Sequence, residues 1–262
     1  MKYSFFILLI MLVCTNCFAQ SGTVTYLQYE NDKPTIVQMY FDKNQSMYIC
    51  NKGKKGRVLK AANGEVIDLV NDAKFAEQLA KYGTFHEYNT DEEGQLVYQN
   101  WTTNVLVFRE IFRKDACITK EPTLPKINWA LTKENKKIGK FNCQKATTRF
   151  RGRSYEAWFT TEIAVPSGPW KLHGLPGLIL EASDSSKAYK YVFQSIEIPL
   201  KDNSELTKLP SKGKNIALKD YHKFCRLQEE NYKREVESKA AERGGKVIVT
   251  LSDAPKQEIQ YE

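Results

Sequence analysis

The side chains that could carry out acid–base chemistry are concentrated in one segment, residues 168–184, with the sequence GPWKLHGLPGLILEASD. His173 lies there near Glu181, and a histidine beside a carboxylate is a common general base. His86 and His222 are not spaced with His173 for metal binding, and the chain has no nucleophile-elbow, zinc-protease or phosphate-loop motif. We therefore expect a protein that is not an enzyme, with no catalytic residue, metal site or cofactor. The alternative is a hydrolase-type enzyme that uses His173 with nearby carboxylates.

The glycines and prolines of the same segment predict a loop. Pro176-Gly177 suits the second and third positions of a type II turn, and Gly174 permits a close approach of the backbone to a strand or a ligand. Residues 178–182 then continue as a strand. Trp170 and Leu172 provide apolar anchors, so we expect the loop to fold over a sheet and re-enter it. The pattern leaves open whether the loop serves structure or binding.

A binding site is the other function that these residues favour. Trp158 and Trp170 offer flat apolar surfaces, and Arg151 and Arg153 lie at the adjacent hairpin end. An aromatic concavity with a basic rim would suit a lipid-like or anionic amphiphile, or an acidic segment of a membrane protein. In the alternative, the aromatic residues belong to the core and the arginines are solvated turn residues. The predicted ligand-binding residues are Trp158, Trp170, His173, Gly174, Pro176, Gly177, Arg151 and Arg153.

The elements that must position these residues are mostly β-strands. Runs such as 21–30 and 141–150 are rich in β-branched and aromatic residues, and turn residues separate them. Helical periodicity predicts a short helix near residues 72–82 and a long helix near residues 217–243. We therefore predict an α+β fold, mainly β with some α. Its core is an antiparallel β-meander curled into an open or half-barrel, in a single domain over residues 20–262.

The first residues indicate export. A positive start, an apolar run over residues 4–13 and Ala19 before the cleavage point are typical of a signal peptide, predicted over residues 1–19. A lipid anchor at Cys14 or Cys17 is the alternative. No later segment has the ~20 apolar residues that a membrane-spanning helix needs. We expect a periplasmic or outer-membrane-associated protein, or a secreted one.

Charge and cysteine content narrow the range of partners. Loss of Lys2 leaves 38 basic and 31 acidic residues, a net charge of +7, which fits a mixed solubilising surface. Nucleic acid is not expected, because the chain shows no nucleic-acid-binding module. An oxidising compartment permits two disulfides among four cysteines, in three pairings. The candidates are Cys50, Cys117, Cys143 and Cys225, with Cys117–Cys143 as the preferred bridge.

Residues 174–179 spell GLPGLI. They stand within GPWKLHGLPGLILEA and follow FNCQKATTRFRGRSYEAWFTTEI, residues 141–163. Over residues 125–200 the chain resembles the GLPGLI family of exported proteins from the Bacteroidota. The resemblance implies an envelope or secreted protein, largely β, of unestablished activity and often encoded beside outer-membrane transport proteins. We therefore predict a non-enzymatic binding or accessory module, whose partner is an outer-membrane transporter or a lipid-like, amphiphilic ligand.

Overall fold

The structure, a computed structural model, describes residues 20–53, 56–61, 85–112 and 115–242. The predicted signal peptide, residues 1–19, and the predicted short helix, residues 72–82, lie outside the described residues. The described part is mostly β with few helices, as the sequence predicts. None of its helices combines the length and the apolar character that crossing a membrane requires.

Fourteen strands and two helices make up the described part of the chain. The strands are β1 Gly22–Glu30, β2 Lys33–Phe41, β3 Gln45–Cys50, β4 Gly56–Ala61, β5 Phe85–Thr90, β6 Gln95–Asn100, β7 Val105–Ile111, β8 Ala116–Glu121, β9 Ala130–Ile138, β10 Phe141–Phe150, β11 Arg153–Thr160, β12 Leu178–Asp184, β13 Tyr189–Glu197 and β14 Lys214–Asn215. The helices are α1 Ser204–Thr207 and α2 Leu218–Glu242. The second confirms the long helix predicted over residues 217–243.

Twelve of the strands form one large sheet in the order β14-β8-β7-β6-β3-β2-β1-β13-β12-β11-β10-β9. Two antiparallel meanders build it, and they join where β1 pairs with β13. The purely antiparallel prediction is wrong at one edge, because the two-residue strand β14 pairs in parallel with β8. The sheet is therefore mixed, and it does not close into a barrel, since β14 and β9 remain its edges. Strands β4 and β5 pair separately.

The alternation of side chains along the strands separates an inner face from an outer face. In β11, Tyr155, Ala157 and Phe159 are buried, whereas Glu156 and Trp158 between them are only half-buried. Period-2 alternation places successive side chains on opposite faces of a sheet. The inner faces of both meanders contribute to one hydrophobic core.

The loop between β11 and β12, residues 161–177, covers part of this inner face. Its apolar side chains are buried in the same core as the strands. They are Ile163, Val165, Trp170, Leu172 and Leu175. The backbone of the loop is paired as well, since the amide of Ile179 donates to the carbonyl of Ser167 at 2.9 Å. The hydroxyl of Tyr26 donates to the carbonyl of Ile179 at 2.7 Å. The loop is thus a second structural layer over the sheet.

Three glycines explain why this loop has its characteristic sequence. A methyl group on Gly177 would lie 2.1 Å from the carbonyl oxygen of Thr160, and one on Gly168 would lie 2.7 Å from the Ile179 side chain. Gly174 has a φ of +90°, in the left-handed region that only glycine occupies readily. Two of the glycines therefore permit close packing, and the third permits the turn.

The long helix α2 packs at one end of the inner face. The ring of Tyr221 meets that of Phe108 edge to face, with centroids 5.0 Å apart, and Phe224 meets Phe112 in the same way at 5.5 Å. Edge-to-face aromatic pairs contribute about 0.5–1.5 kcal/mol beyond the burial of their area. These two contacts hold the start of α2 against β7.

The predicted disulfides do not form. Cys50, Cys117, Cys143 and Cys225 are all buried, and none is joined to another in a disulfide. The preferred bridge fails because Cys117 lies in β8 and Cys143 in β10, near opposite edges of the sheet. A disulfide needs Cα atoms within about 7 Å of each other. Burial raises the pKa of the Cys117 thiol to about 12 and that of Cys143 to about 11, which disfavours the reactive thiolate.

Replacing Trp170 with alanine is expected to destabilise the fold by about 3–5 kcal/mol, the usual cost of emptying a large aromatic site in a core. Trp158→Ala is the matched control, because Trp158 is half-buried on the outer face and its loss should cost less. Urea unfolding followed by circular dichroism measures both free energies. Equal costs for the two variants would show that Trp170 is not part of the core.

Replacing Gly177 with alanine is expected to destabilise the protein by at least about 2 kcal/mol, because the new methyl group meets the backbone of Thr160 and backbone cannot easily move. Gly53→Ala is the control, since a methyl group there meets no atom within 4 Å. Thermal unfolding of the two variants measures the difference. A Gly177→Ala protein as stable as the control would contradict the packing role of this glycine.

Candidate functional site

A cavity of about 240 Å³ lies between the inner face of the sheet and helix α2, and we call it the helix cavity. Strands β1, β3, β6 and β7 form its floor, the loop between β11 and β12 and strand β13 form one side, and α2 forms the other. Polar and aromatic side chains alternate around its walls. They include Gln28, Glu30, Tyr48, Gln95, Phe108, Arg109, Trp170, Lys171, Tyr189, Tyr221, His222 and Glu229.

Side-chain hydrogen bonds between strands fix the polar groups of the floor. The hydroxyl of Tyr48 donates to Oε1 of Gln28, and the hydroxyl of Tyr189 donates to Oε1 of Glu30 at 3.3 Å. Glu30 is exposed as a residue at the end of β1, but the protein around its carboxyl displaces water. This desolvation raises the pKa of Glu30 by more than the hydrogen bond from Tyr189 and the charges of Lys33 and Arg153 lower it. The floor therefore offers both donors and acceptors.

Arg109 anchors the floor of the helix cavity. It is 2% exposed, and its guanidinium reaches both carboxylate oxygens of Asp91 at 2.5 and 3.0 Å and lies 3.3 Å from Glu93. It also donates to the carbonyls of Gly94 and Lys212, each at 2.6 Å. Burial opposes ionisation of Asp91, yet the hydrogen bonds to its carboxylate outweigh burial and lower its pKa. The arginine is thus neutralised and held rigidly.

The two arginines predicted to form a basic rim are instead buried, each 6% exposed, so that prediction is wrong. Arg151 pairs with Glu121, and Arg153 lies 2.8 Å from Asp184. Glu121 also receives the ammonium of Lys171 at 3.1 Å. A buried guanidinium is stable only when a carboxylate balances it, and the sequence does not reveal these distant partners.

His173 is enclosed by the loop that carries it. Its ring is 6% exposed, its Nδ1 lies 2.8 Å from the carbonyl oxygen of Lys171, and its own carbonyl accepts the indole N–H of Trp129 at 2.8 Å. Burial lowers the pKa of His173 by more than the neighbouring carbonyls and Glu121 raise it. Glu181, its expected carboxylate partner, instead forms an ion pair with Lys136 at 2.5 Å on the outer face.

Trp158, grouped with Trp170 in the predicted binding site, lies on the outer face. It borders a separate open cavity of about 760 Å³, together with Tyr29, Glu156 and Glu181. The ammonium of Lys136 lies 4.4 Å from the centre of its ring.

The predicted ligand-binding residues therefore do not come together as one site. Trp158 lies on the outer face. Trp170, His173, Arg151, Arg153 and Gly177 are buried, whereas the turn residues Gly174 and Pro176 are exposed. Of the eight, only Trp170 borders the helix cavity.

Apart from Trp170, the residues that line the helix cavity were not predicted as binding residues from the sequence. Gln28, Tyr48 and Tyr189 come from strands far apart in the chain, and His222 comes from α2. One signal was available in the sequence: Gln28 follows Val24 and Tyr26 at every second residue of β1, and this alternation places a polar side chain on the buried face. A polar residue that faces the core needs a hydrogen-bond partner. Such a residue in an otherwise apolar pattern is therefore a signal of a binding site.

No grouping of His, Cys, Asp and Glu that could hold a metal ion exists within the described ranges. The fold and the helix cavity define a β-rich domain whose inner face is partly covered by its own loop and partly left open beside a helix. The chain belongs to a family described as N-glycanase peptide, N-terminal domain, whose profile matches residues 65–222. No curated protein matches the chain.

Similar folds occur in solved structures. Two crystal forms of PNGF-II, in space groups P21 and C2, share 15% and 16% identity with the chain, with TM-scores of 0.50 and 0.51. Each alignment covers 80% of this chain and 34% of PNGF-II, so the chain spans about a third of that protein's length. An uncharacterized conserved protein from Thermus thermophilus aligns over 80% of this chain and 98% of its own length, at 10% identity and a TM-score of 0.36.

The burial of His173 predicts a pH dependence of stability. Its folded pKa lies below its ordinary value of 6.5, so the unfolded chain binds a proton more readily than the folded protein. The stability linked to His173 is therefore fully present above pH 6.5 and is lost as the pH falls towards the folded pKa. His173→Gln removes this titration, while the carboxylates titrate in both proteins.

Free energies of unfolding at pH 8 and pH 5 test this expectation. The wild type should lose more stability between the two values than His173→Gln loses. Equal losses would mean that the imidazole titrates normally and is accessible to water.

Proposed function

We propose that this protein is a non-catalytic accessory domain that binds a glycan in the helix cavity. The observation that carries the proposal is the composition of the cavity walls, where hydrogen-bonding side chains stand next to aromatic rings. Membership of the N-glycanase N-terminal family supports a carbohydrate ligand.

The chemistry of a sugar matches these walls. A pyranose ring has hydroxyl groups at its edge and C–H groups on its faces, so it needs donors and acceptors beside an aromatic surface. Gln28, Glu30 and Gln95 provide the polar groups, and Phe108 and Tyr221 provide rings. The volume of about 240 Å³ is slightly below the ~300–1,000 Å³ of ordinary ligand pockets. It therefore suits one sugar unit of a longer chain.

An amphiphile is a poorer fit to this cavity. A hydrocarbon tail would desolvate Gln28, Glu30 and His222 without replacing their hydrogen bonds with water, at a cost of about 1–3 kcal/mol for each buried polar group. The basic rim proposed for its headgroup is also not available, because Arg151 and Arg153 are paired with buried carboxylates.

The proposal keeps the remaining predictions from the sequence. It places the protein in the cell envelope or outside the cell, as the predicted signal peptide and the GLPGLI resemblance imply, with an outer-membrane transport protein as a candidate partner. It assigns no catalytic role to His173, because the ring is enclosed and Glu181 is paired on the opposite face.

Titration calorimetry with a purified N-glycan oligosaccharide tests the proposal. The full chain should bind the oligosaccharide, and His222→Ala should weaken binding about threefold to tenfold, the usual effect of losing one ligand hydrogen bond. Lys223→Ala is the matched control, because Lys223 is the next residue of α2 and is exposed. The proposal fails if no glycan binds at millimolar concentration, or if both variants bind as the wild type does.

A further inference from the structure

A second cavity, also of about 240 Å³, adjoins the helix cavity and shares Gln28, Glu30 and Gln95 with it. We call it the amide cavity, because carboxamide side chains dominate its walls: Gln28, Asn31, Asn51, Asn89 and Gln95. The shared residues make the two cavities neighbouring parts of one groove.

The polar groups of the amide cavity form a row across four adjacent strands. Gln28 of β1 lies directly opposite Thr35 of β2 in the strand register. Asn51 directly follows β3, and Gln95 begins β6, the next strand of the sheet. Neighbouring strands are about 4.8 Å apart, so the row presents hydrogen-bonding groups at regular intervals.

The carboxamides of this row are held so that donors remain for a ligand. Oε1 of Gln28 accepts the hydroxyl of Tyr48, and Oε1 of Gln95 accepts the Asn51 side-chain N–H at 2.7 Å. The NH₂ groups of Gln28 and Gln95 are then the groups that can donate to a bound acceptor, such as a carbonyl oxygen.

Thr35 provides an independent observation that points to a ligand. It is 3% exposed, lines the amide cavity, and its hydroxyl has no hydrogen-bond partner. A buried hydroxyl without a partner costs about 1–3 kcal/mol. A valine of nearly the same shape would avoid that cost, so the hydroxyl is explained if a ligand supplies its partner.

We infer that the amide cavity is a subsite for the acetamido group of a 2-acetamido sugar. This inference rests on the proposed function. The carbonyl oxygen of an acetamido group has two lone pairs, which can accept from the NH₂ groups of Gln28 and Gln95, and its one N–H can donate to the hydroxyl oxygen of Thr35. The neighbouring helix cavity then receives the adjoining sugar unit of the same chain.

Two disaccharides that differ only at this group test the inference. N,N′-Diacetylchitobiose and cellobiose share the β1,4 linkage, but the first has acetamido groups where the second has hydroxyls. Titration calorimetry of the full chain should show at least about tenfold tighter binding of diacetylchitobiose, which corresponds to about 1.4 kcal/mol. Thr35→Val should remove most of this preference and leave cellobiose binding unchanged.

Thr25→Val is the matched control, because Thr25 lies on the outer face of β1 and should alter neither affinity. Thermal unfolding separates binding from folding, since Thr35→Val should keep or raise the melting temperature. Equal affinity for the two disaccharides, with His222→Ala weakening both, would overturn the acetamido subsite and support the proposed function. Absence of binding by either disaccharide and by larger glycans would overturn both.

Discussion

The packing of the loop of residues 161–177 against the inner face of the sheet is the contact on which the rest of the structure depends. An open sheet with one apolar face needs a second layer to exclude water. Helix α2 covers the end near β7, and the loop covers the neighbouring region. A buried loop must also satisfy its backbone polar groups. The indole of Trp129 provides one of the required partners, at the carbonyl of His173, while Gly177 lets the chain approach Thr160 closely enough to return to the sheet.

Burying this loop also brings charge into the interior. Lys171 lies between the buried apolar residues Trp170 and Leu172, and His173 follows directly and is buried as well. The ammonium of Lys171 lies 3.4 Å from the centre of the Phe108 ring. Glu121 is shared by Lys171 and Arg151, so one carboxylate faces two cations. Desolvation of these charges offsets much of their attraction, so the cluster contributes more to a unique position than to net stability. The wall of the helix cavity beside Lys171 is therefore polar and fixed.

The sequence was most informative where a pattern is local. Alternation along β11 and the turn chemistry around Gly174 depend on neighbouring residues, and both the strand and the covering loop are present. Alternation also places Trp158 and Tyr155 on opposite faces of the sheet. It does not reveal on which face the loop residue Trp170 packs, so it cannot predict that Trp170 and Trp158 lie on opposite sides. That separation depends on which strands pair, and pairing depends on contacts between distant parts of the chain. For the same reason the partners of Arg151 and Arg153 could not be predicted.

The polar residues of the groove show how the site and the fold are connected. A polar side chain at an inward position of β1 or β2 stands where an apolar one could be buried. Burial of a large aliphatic side chain would stabilise the fold by about 1.5–3 kcal/mol. Val24, Tyr26 and Val37 follow the rule of an apolar inner face, and Gln28 and Thr35 depart from it at the end where the two cavities meet. The inward positions of β1 and β2 nearer the middle of the sheet are apolar, so the pairing of these two strands does not itself require polar residues there. A ligand that forms hydrogen bonds with Gln28 and Thr35 explains why polar residues occupy these inward positions. Such a ligand binds at the end of the sheet that the loop leaves uncovered.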